Sequence, residues 1–283
     1  DTSFMETMRI TATNARYAHG AAHYAAVSGD AKWLKRSQKV LQNINEHHRS
    51  GNGTLMRFAI ANNRRSIPAR AEDYAALMDA HLAVYRLDLD SAHLVQALAL
   101  AKALLSDHLC PDGFITEATK PEQVGDLPTY SDRMIFGDST WGTVFGPLTR
   151  LQQLTNDARI KETTDKILRA SLSQLSRARP TNDLVHTDFL NNAQILLADT
   201  LVYLQGTPGT PEFDALHAVL RNPRFWAATV VHLGAGLPDE ISSPIPNAGS
   251  APTAHVRTGQ NTPQSASDAA GLERLLQEAL QSP

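Results

Sequence analysis

The sequence predicts an all-α fold, an (α/α) toroid assembled from helical hairpins. Apolar residues recur at helical spacing through most of residues 1–222. Short polar turns divide these helices into pairs, and the turns Gly29-Asp30, Leu89-Asp90 and Asn156-Asp157 lie about 60 and about 67 residues apart. Because one hairpin cannot bury its own apolar face, repeated hairpins stack side by side. Long loops of different length favour a ring over an open solenoid, with the small-residue helices inside and the bulkier helices outside.

The clearest hairpin runs from Ser66 to His108. Glu72 and Asp73 lie near the start of its first helix, where the helix dipole favours negative charge. A polar turn at residues 88–90 separates that helix from a second apolar-periodic run at residues 92–109. The pattern therefore predicts two antiparallel helices joined by a short turn.

Three further hairpins are predicted around this one. Their helices are expected at residues 4–28 and 31–48, at residues 139–154 and about 158–176, and at residues 183–205 and 213–220. Short β-like pieces at residues 54–60 and 114–115 lie between hairpins, and residues 119–137 form a long loop. A loop of that length in a compact protein favours a functional role.

The pattern of helical hairpins ends at about residue 222. We therefore predict toroid hairpins at residues 1–222 and a C-terminal extension at residues 223–283. The Pro/Gly-rich extension begins with a candidate strand at residues 225–233. A loop-rich stretch with few residues that could form a core follows at residues 234–268, and a terminal helix is predicted at residues 269–280.

Composition excludes several classes of function. The formal net charge of −3 gives no electrostatic reason to expect nucleic acid or an anionic membrane as a partner. Apolar runs stay short of the roughly 20 residues that span a bilayer. The single cysteine, Cys110, excludes an internal disulfide and slightly favours the cytoplasm for a soluble protein. Because the chain starts at Asp1 without Met, we expect a processed form, an excised domain or part of a longer protein.

Four short segments, in this order, carry a family resemblance: Thr13-Asn14, Ile67-Pro68 with Glu72-Asp73-Tyr74-Ala75, Asp112-Gly113-Phe114, and Tyr130 to Ser139. The chain resembles the C-terminal part of the YyaL and spermatogenesis-associated thioredoxin-domain family. The resemblance implies a toroid similar to N-acylglucosamine 2-epimerases and six-hairpin glycosidases, joined in that family to a thioredoxin-like domain. Such a ring needs six hairpins, so the four predicted here form an incomplete toroid, and the others precede Asp1 or the ring is open. The family often carries a cysteine pair where residues 254–263 contain none.

Acidic residues at the predicted inner-helix starts are the first candidates for chemistry. Glu72 and Asp73 begin one inner helix, and Asp132 and Asp138 precede the next. Loops before inner helices surround one mouth of an α/α toroid, so these carboxylates are expected to meet there. Paired carboxylates serve as general acid and base on a sugar. The resemblance adds His19 as an acid/base candidate, because histidines have that role in epimerases of similar fold.

Binding candidates lie near the same mouth. Tyr74 and Trp141 offer aromatic rings on which a sugar can stack, and Arg70 offers a cation for an anionic substrate. Asn14 and Ser139 lie at the starts of inner helices and complete the predicted substrate-binding set.

Each of these residues also has a structural interpretation. Helix capping is the alternative role for the acids and for Ser139, because Asp and Ser before a helix satisfy free N–H groups. His19 and His23 share one helix face, which is half of a metal site, but no third ligand lies nearby in the sequence. We therefore predict no metal and no cofactor.

Two functions remain open at this point. The first is a carbohydrate-active enzyme, epimerase-like or glycosidase-like, with a sugar substrate at the toroid mouth. The second is a non-catalytic domain that packs on a thioredoxin-like module or another partner chain. Two carboxylates about 5 to 9.5 Å apart in an open cleft would support the enzyme. A cleft filled by another segment of the chain would support the interaction domain.

Overall fold

The computed structural model describes residues 9–59, 67–110, 115–119, 140–175, 187–234, 236–241, 245 and 251–281. The described chain is mostly helical, with one small sheet and one two-stranded ribbon. The helices are α1 Thr11–Ser28, α2 Ala31–His47, α3 Ala71–Asp88, α4 Ser91–His108, α5 Thr140–Leu154, α6 Ala158–Leu175, α7 Thr187–Ala198, α8 Pro211–Arg221 and α9 Ala269–Gln281. The strands are β1 Arg9–Ile10, β2 Phe58–Ala59, β3 Thr200–Gln205, β4 Thr229–His232, β5 Thr253–Thr258 and β6 Gln264–Ala266. The predicted all-α class with short β-like pieces is confirmed. The described helices include none long and apolar enough to cross a membrane.

Helices α1, α3, α5 and α7 pack side by side as the inner layer of an arc, and α2, α4 and α6 pack behind α1, α3 and α5. The buried side chains of α1 are Thr11 and six alanines, which let neighbouring helices approach closely. In α3, 16 of the 18 residues are buried, because other helices cover it on both sides. The predicted inner and outer layers of a partial toroid are therefore confirmed.

The predicted turns share one local structure. Gly29 and Leu89 adopt left-handed backbone conformations with φ of 71° and 58°, which end the first helix of each hairpin. Asp30, Asp90 and Asp157 then accept a hydrogen bond at 2.9 Å from the backbone N–H two residues later. Each carboxylate thereby satisfies a free donor at the start of the next helix.

Replacing one of these caps has a predictable cost. We expect Asp30→Ala to lower the free energy of unfolding by about 1 kcal/mol, because the N–H of Lys32 loses its acceptor. Urea denaturation followed by far-UV circular dichroism measures this change. The control Lys35→Ala, at an exposed position of the same helix, is expected to stay within about 0.5 kcal/mol of the wild type. Equal losses in the two variants would contradict the capping role.

Two predicted elements were wrong. Residues 200–205, predicted as the end of a helix, form strand β3, because this short run is buried on both faces and a sheet supplies its backbone partners. Residues 253–258 and 264–266, predicted within a loop-rich stretch, form β5 and β6. A third, smaller difference is that residues 9–10, predicted as helix, form β1.

The C-terminal sheet has the order β4-β3-β5-β6. Strand β3 pairs in parallel with β4 and antiparallel with β5, and β6 pairs antiparallel with β5. Helix α9 packs on β5, β6 and α8, where Leu272 and Leu276 of its predicted apolar stripe are fully buried. The candidate strand at residues 225–233 is confirmed as β4. The division at residue 222 stays a prediction, and one sheet joins strands from both sides of it.

Two arginines hold the C-terminal part against the inner helices. Arg86, near the end of α3, donates hydrogen bonds to the carbonyl oxygens of Leu220, Phe225 and Ala228. Arg150 of α5 donates from Nη2 to a carbonyl oxygen of the same segment at 2.9 Å. Residues 220–230 therefore lie across the inner side of the arc, the side turned away from α2, α4 and α6.

Candidate functional site

Asp73 lies at the rim where α1 and α3 begin, and its side chain is fully buried. One carboxylate oxygen accepts the backbone N–H of Ala12 at 2.9 Å, and the other accepts the backbone N–H of Arg70 at 2.8 Å. Arg57 approaches that second oxygen at 3.3 Å. A single carboxylate thus caps the starts of two inner helices.

Burial raises the pKa of Asp73 to about 6. The hydrogen bond from Arg70, the charge of Arg57 and the hydrogen bond from Ala12 act in the opposite direction and only partly offset the loss of hydration. The carboxyl is therefore a buried group whose hydrogen bonds are all made within the protein.

Other charged residues of this rim that the structure describes form ion pairs. Glu72 forms an ion pair with Arg57, whose Nη2 lies 2.8 Å from Oε1 of the carboxylate. Nη2 of Arg16 lies 3.6 Å from the other oxygen, Oε2. Arg70 pairs with Glu117 at 2.8 Å. Each of these acids thus faces an arginine.

The remaining predicted residues are dispersed. Asn14 donates to the carbonyl oxygen of Ile10 at 2.8 Å, within its own helix turn. Tyr74 is buried, with its ring edge-on to His108 and its hydroxyl 3.5 Å from Asp107. Trp141 lies in the first turn of α5. The last three predicted residues lie outside the described residues: Asp132, Asp138 and Ser139.

His19 belongs to a different cluster, on the inner side of the arc. Its Nε2 lies 3.3 Å from Oδ2 of Asp79 and 3.0 Å from Nε2 of His23. The ring of His23 packs on Trp226, with 3.7 Å between ring centroids. Arg150 holds the backbone of that tryptophan in place. The structure therefore brings one predicted site residue together with four that sequence reasoning did not select.

Burial controls the protonation of this cluster. Burial, with a smaller contribution from the charge of His19, lowers the pKa of His23 to about 3, so His23 is a neutral imidazole at neutral pH. Burial also lowers the pKa of Arg86 to about 9. The pair of His19 and Asp79 keeps contact with solvent, because 30% and 38% of their side-chain surfaces are exposed.

The space beside this pair is small. His19, Asp79, Arg150 and Trp226 border a cavity of about 30 Å³ between the inner helices and the C-terminal segment. That volume holds about one water molecule. Across the described ranges, no three His, Cys, Asp or Glu side chains come together as metal ligands.

Some sequence signals for this cluster were available. Asp79 is a carboxylate within the apolar run of α3, and Arg86 and Arg150 are cations near the ends of helices with small or apolar residues. Of these, Arg86 is buried, and a buried charge requires a partner. The identity of that partner, the segment around Trp226, depends on tertiary packing and has no local signal.

The chain is similar to some solved structures. It matches no protein-family model and no curated protein. Solved structures do match, among them a GH76 alpha-mannanase of Bacteroides thetaiotaomicron, studied as a selenomethionine derivative. That match has 13% sequence identity and a TM-score of 0.49, and it covers 61% of this chain and 46% of the mannanase chain. The chain thus spans less than half of that enzyme, and the fold described above rests on its own helix contacts.

Proposed function

We propose that this chain is a non-catalytic interaction domain of the α/α-toroid type, which packs on another protein module. The observation that carries the proposal is the occupied inner side of the arc. Residues 220–230 lie across the inner side of the arc, where a toroid enzyme would hold its substrate, and the cavity that they border among the described residues measures about 30 Å³. The family resemblance names a thioredoxin-like module as the expected partner.

The available volume argues against a sugar in this cavity. Pockets for small molecules usually measure roughly 300 to 1,000 Å³. A pocket of that size would form only if the covering segment moved away. Its carbonyl groups would then lose their hydrogen bonds to Arg86 and Arg150, and a buried hydrogen bond to a charged donor contributes about 1.5 to 3 kcal/mol.

The rim supports the same proposal. A general acid or base needs a carboxyl group that reaches the substrate. Asp73 is fully enclosed and bonded to two helix starts, and Glu72 is paired with Arg57. We therefore propose that these two acids position the inner helices. Roles for Asp132 and Asp138 stay predictions.

A second candidate is acid–base chemistry on a sugar, either isomerisation or hydrolysis, at His19 and Asp79. One observation favours it: Nε2 of His19 lies 3.3 Å from Oδ2 of Asp79, and both side chains keep contact with solvent beside an aromatic ring, Trp226. Histidine and carboxylate side chains are common general acids and bases.

Thermal unfolding with a panel of monosaccharides and disaccharides separates the two candidates. For an interaction domain, we expect no sugar to raise the melting temperature in a saturable way, because only a ligand bound to the native state stabilises it. His19→Gln is the matched variant. A saturable increase in the wild type that is absent in His19→Gln would overturn the proposal and support sugar chemistry.

A further inference from the structure

A chain of polar side chains joins α2, α3 and α4 near the turn between α3 and α4. His81 of α3 is 8% exposed, and its Nδ1 lies 2.9 Å from Nδ1 of His93 in α4. Nε2 of His93 lies 3.3 Å from Oδ2 of Asp88, the last residue of α3. Gln38 of α2 donates a hydrogen bond to the same oxygen at 2.8 Å. Three helices therefore meet through side chains whose protonation states depend on one another.

The contact between the two histidines has room for one hydrogen. Two N–H groups would meet head-on across the 2.9 Å between the Nδ1 atoms, so only one of these atoms carries a hydrogen. An ionised carboxylate has no hydrogen to donate, so His93 presents Nε2–H to Asp88. A neutral His93 then leaves its Nδ1 bare, and Nδ1–H of His81 donates to it. With both rings neutral, each ring therefore has one defined proton position.

Acid cannot charge both rings in this arrangement. A proton added to His93 places a hydrogen on its Nδ1, and His81 must then accept that hydrogen through its own Nδ1. A second proton, on His81, would place two cations 2.9 Å apart inside the protein. Burial, followed by the charge of His93, lowers the pKa of His81 to about 3. His81 therefore stays neutral in the closed structure, whereas a histidine in water takes up a proton near pH 6.5.

The other charges around His81 have smaller effects. Arg49, which follows α2, also opposes its protonation, and Asp88 favours it. Both act less strongly than burial and His93. From the described parts of α1, α5 and α8, which also pack on α3, no charged group shifts its protonation. The neutral state of His81 is therefore set by its burial and by the facing imidazole.

The turn beside this pair can act as a hinge. Leu89 lies between the two helices and has a left-handed backbone conformation with φ of 58°, which a residue with a side chain rarely adopts. Oδ1 of Asp88 accepts the backbone N–H of Asp90 at 3.0 Å, while its other oxygen faces α2 and α4. A single carboxylate thus holds the turn and its contacts with both outer helices.

We propose that His81 and His93 form an acid-sensitive latch, which holds the α3–α4 turn against α2 at neutral pH and releases it in acid. Opening of the turn exposes His81 to water, where it takes up a proton that it does not bind in the closed form. Acid therefore favours the open form, and a return to neutral pH restores the closed form. The latch residues do not line the inner cavity, so the test of the latch is independent of the proposed function.

Hydrogen exchange followed by mass spectrometry tests the latch at pH 7.5 and pH 5.0, with rates corrected for the pH dependence of intrinsic exchange. In peptides that cover residues 86–94 of the wild type, the opening constant is expected to rise by about 30-fold, because His81 binds a proton near pH 6.5 when open and near pH 3 when closed. His81→Asn keeps an N–H near the position of Nδ1 but cannot be charged, so its expected rise is below about threefold. His47→Asn, at an exposed histidine, is the matched control and is expected to behave as the wild type.

Equal rises in the wild type and in His81→Asn would overturn the latch, as would the absence of a rise in the wild type. An equal acceleration of peptides from α9 would also overturn it, because the whole domain and not the turn would then be opening. If far-UV circular dichroism shows that His81→Asn does not fold, ¹⁵N NMR of the wild-type histidines is the second measurement. At neutral pH it is expected to show a hydrogen on Nδ1 of His81 and on Nε2 of His93, and the opposite tautomers would contradict the arrangement.

Discussion

Arg86→Met is expected to lower the free energy of unfolding by about 4 kcal/mol, the largest effect of any substitution considered for this chain. Arg86 is only 5% exposed, and its guanidinium donates to the carbonyl oxygens of Leu220, Phe225 and Ala228. Methionine fills much of the same space but donates nothing, so three buried carbonyl oxygens lose this donor, and that of Phe225 keeps the backbone N–H of Ala228. The ring of Trp226 also loses its cation, which lies 4.9 Å from the ring centroid.

Urea denaturation of the wild type and the variant, followed by far-UV circular dichroism, measures this loss. Arg36→Met is the matched control, because Arg36 is exposed and lies over the rings of Tyr17 and Trp33 without fixing another segment. Its expected effect is below about 1 kcal/mol. A similar loss of stability in the two variants would contradict this prediction. It would mean that the three hydrogen bonds from Arg86 do not hold the C-terminal part against the inner helices.

The helical hairpins could be predicted from the sequence because their signals are local. Leu89-Asp90 ends one helix with a left-handed residue and begins the next with a capping carboxylate, and the same pair of roles recurs at Gly29-Asp30. The alanine-rich composition of α1 likewise predicts an inner helix, since only small side chains allow helices to approach closely.

The C-terminal sheet could not be predicted in the same way. Residues 200–205 form a short apolar run, which periodicity alone assigns equally well to a helix or a strand. The strand forms because β4 and β5, which follow later in the chain, supply hydrogen bonds on both of its sides. Strand β5 has few apolar residues, and its register is set by pairing with β3.

The candidate site was likewise predictable only where its signals are local. The position of Asp73 at an inner-helix start was visible in the sequence, but its enclosure by Arg57 and Ala12 depends on how β2 and α1 pack. His19 was selected through the resemblance, whereas its neighbours Asp79 and Trp226 come from other parts of the chain. Tertiary contacts therefore decide which of the candidate residues are available for chemistry.

Asp73→Ala is expected to lower the free energy of unfolding by about 3 kcal/mol at pH 7. The substitution leaves the backbone N–H groups of Ala12 and Arg70 without their acceptors, and it removes one of the two carboxylates beside Arg57. Asp73→Asn keeps the size and one acceptor oxygen, so its loss is expected to lie between those of the wild type and the alanine variant. Urea titrations of all three proteins provide the comparison.

The pH dependence identifies the carboxyl as the cause. Burial raises the pKa of Asp73 from 3.8 to about 6, so the folded protein binds more protons than the unfolded chain between these values. The extra proton bound by the folded protein adds to its free energy of unfolding at low pH. This added stability is lost as the pH rises through 6, where the folded carboxyl ionises. The stability difference between the wild type and Asp73→Ala should therefore be larger at pH 5 than at pH 7, by about 1 kcal/mol. A difference that grows with rising pH would mean that Arg57 and the two N–H groups favour the charged form more strongly than burial opposes it.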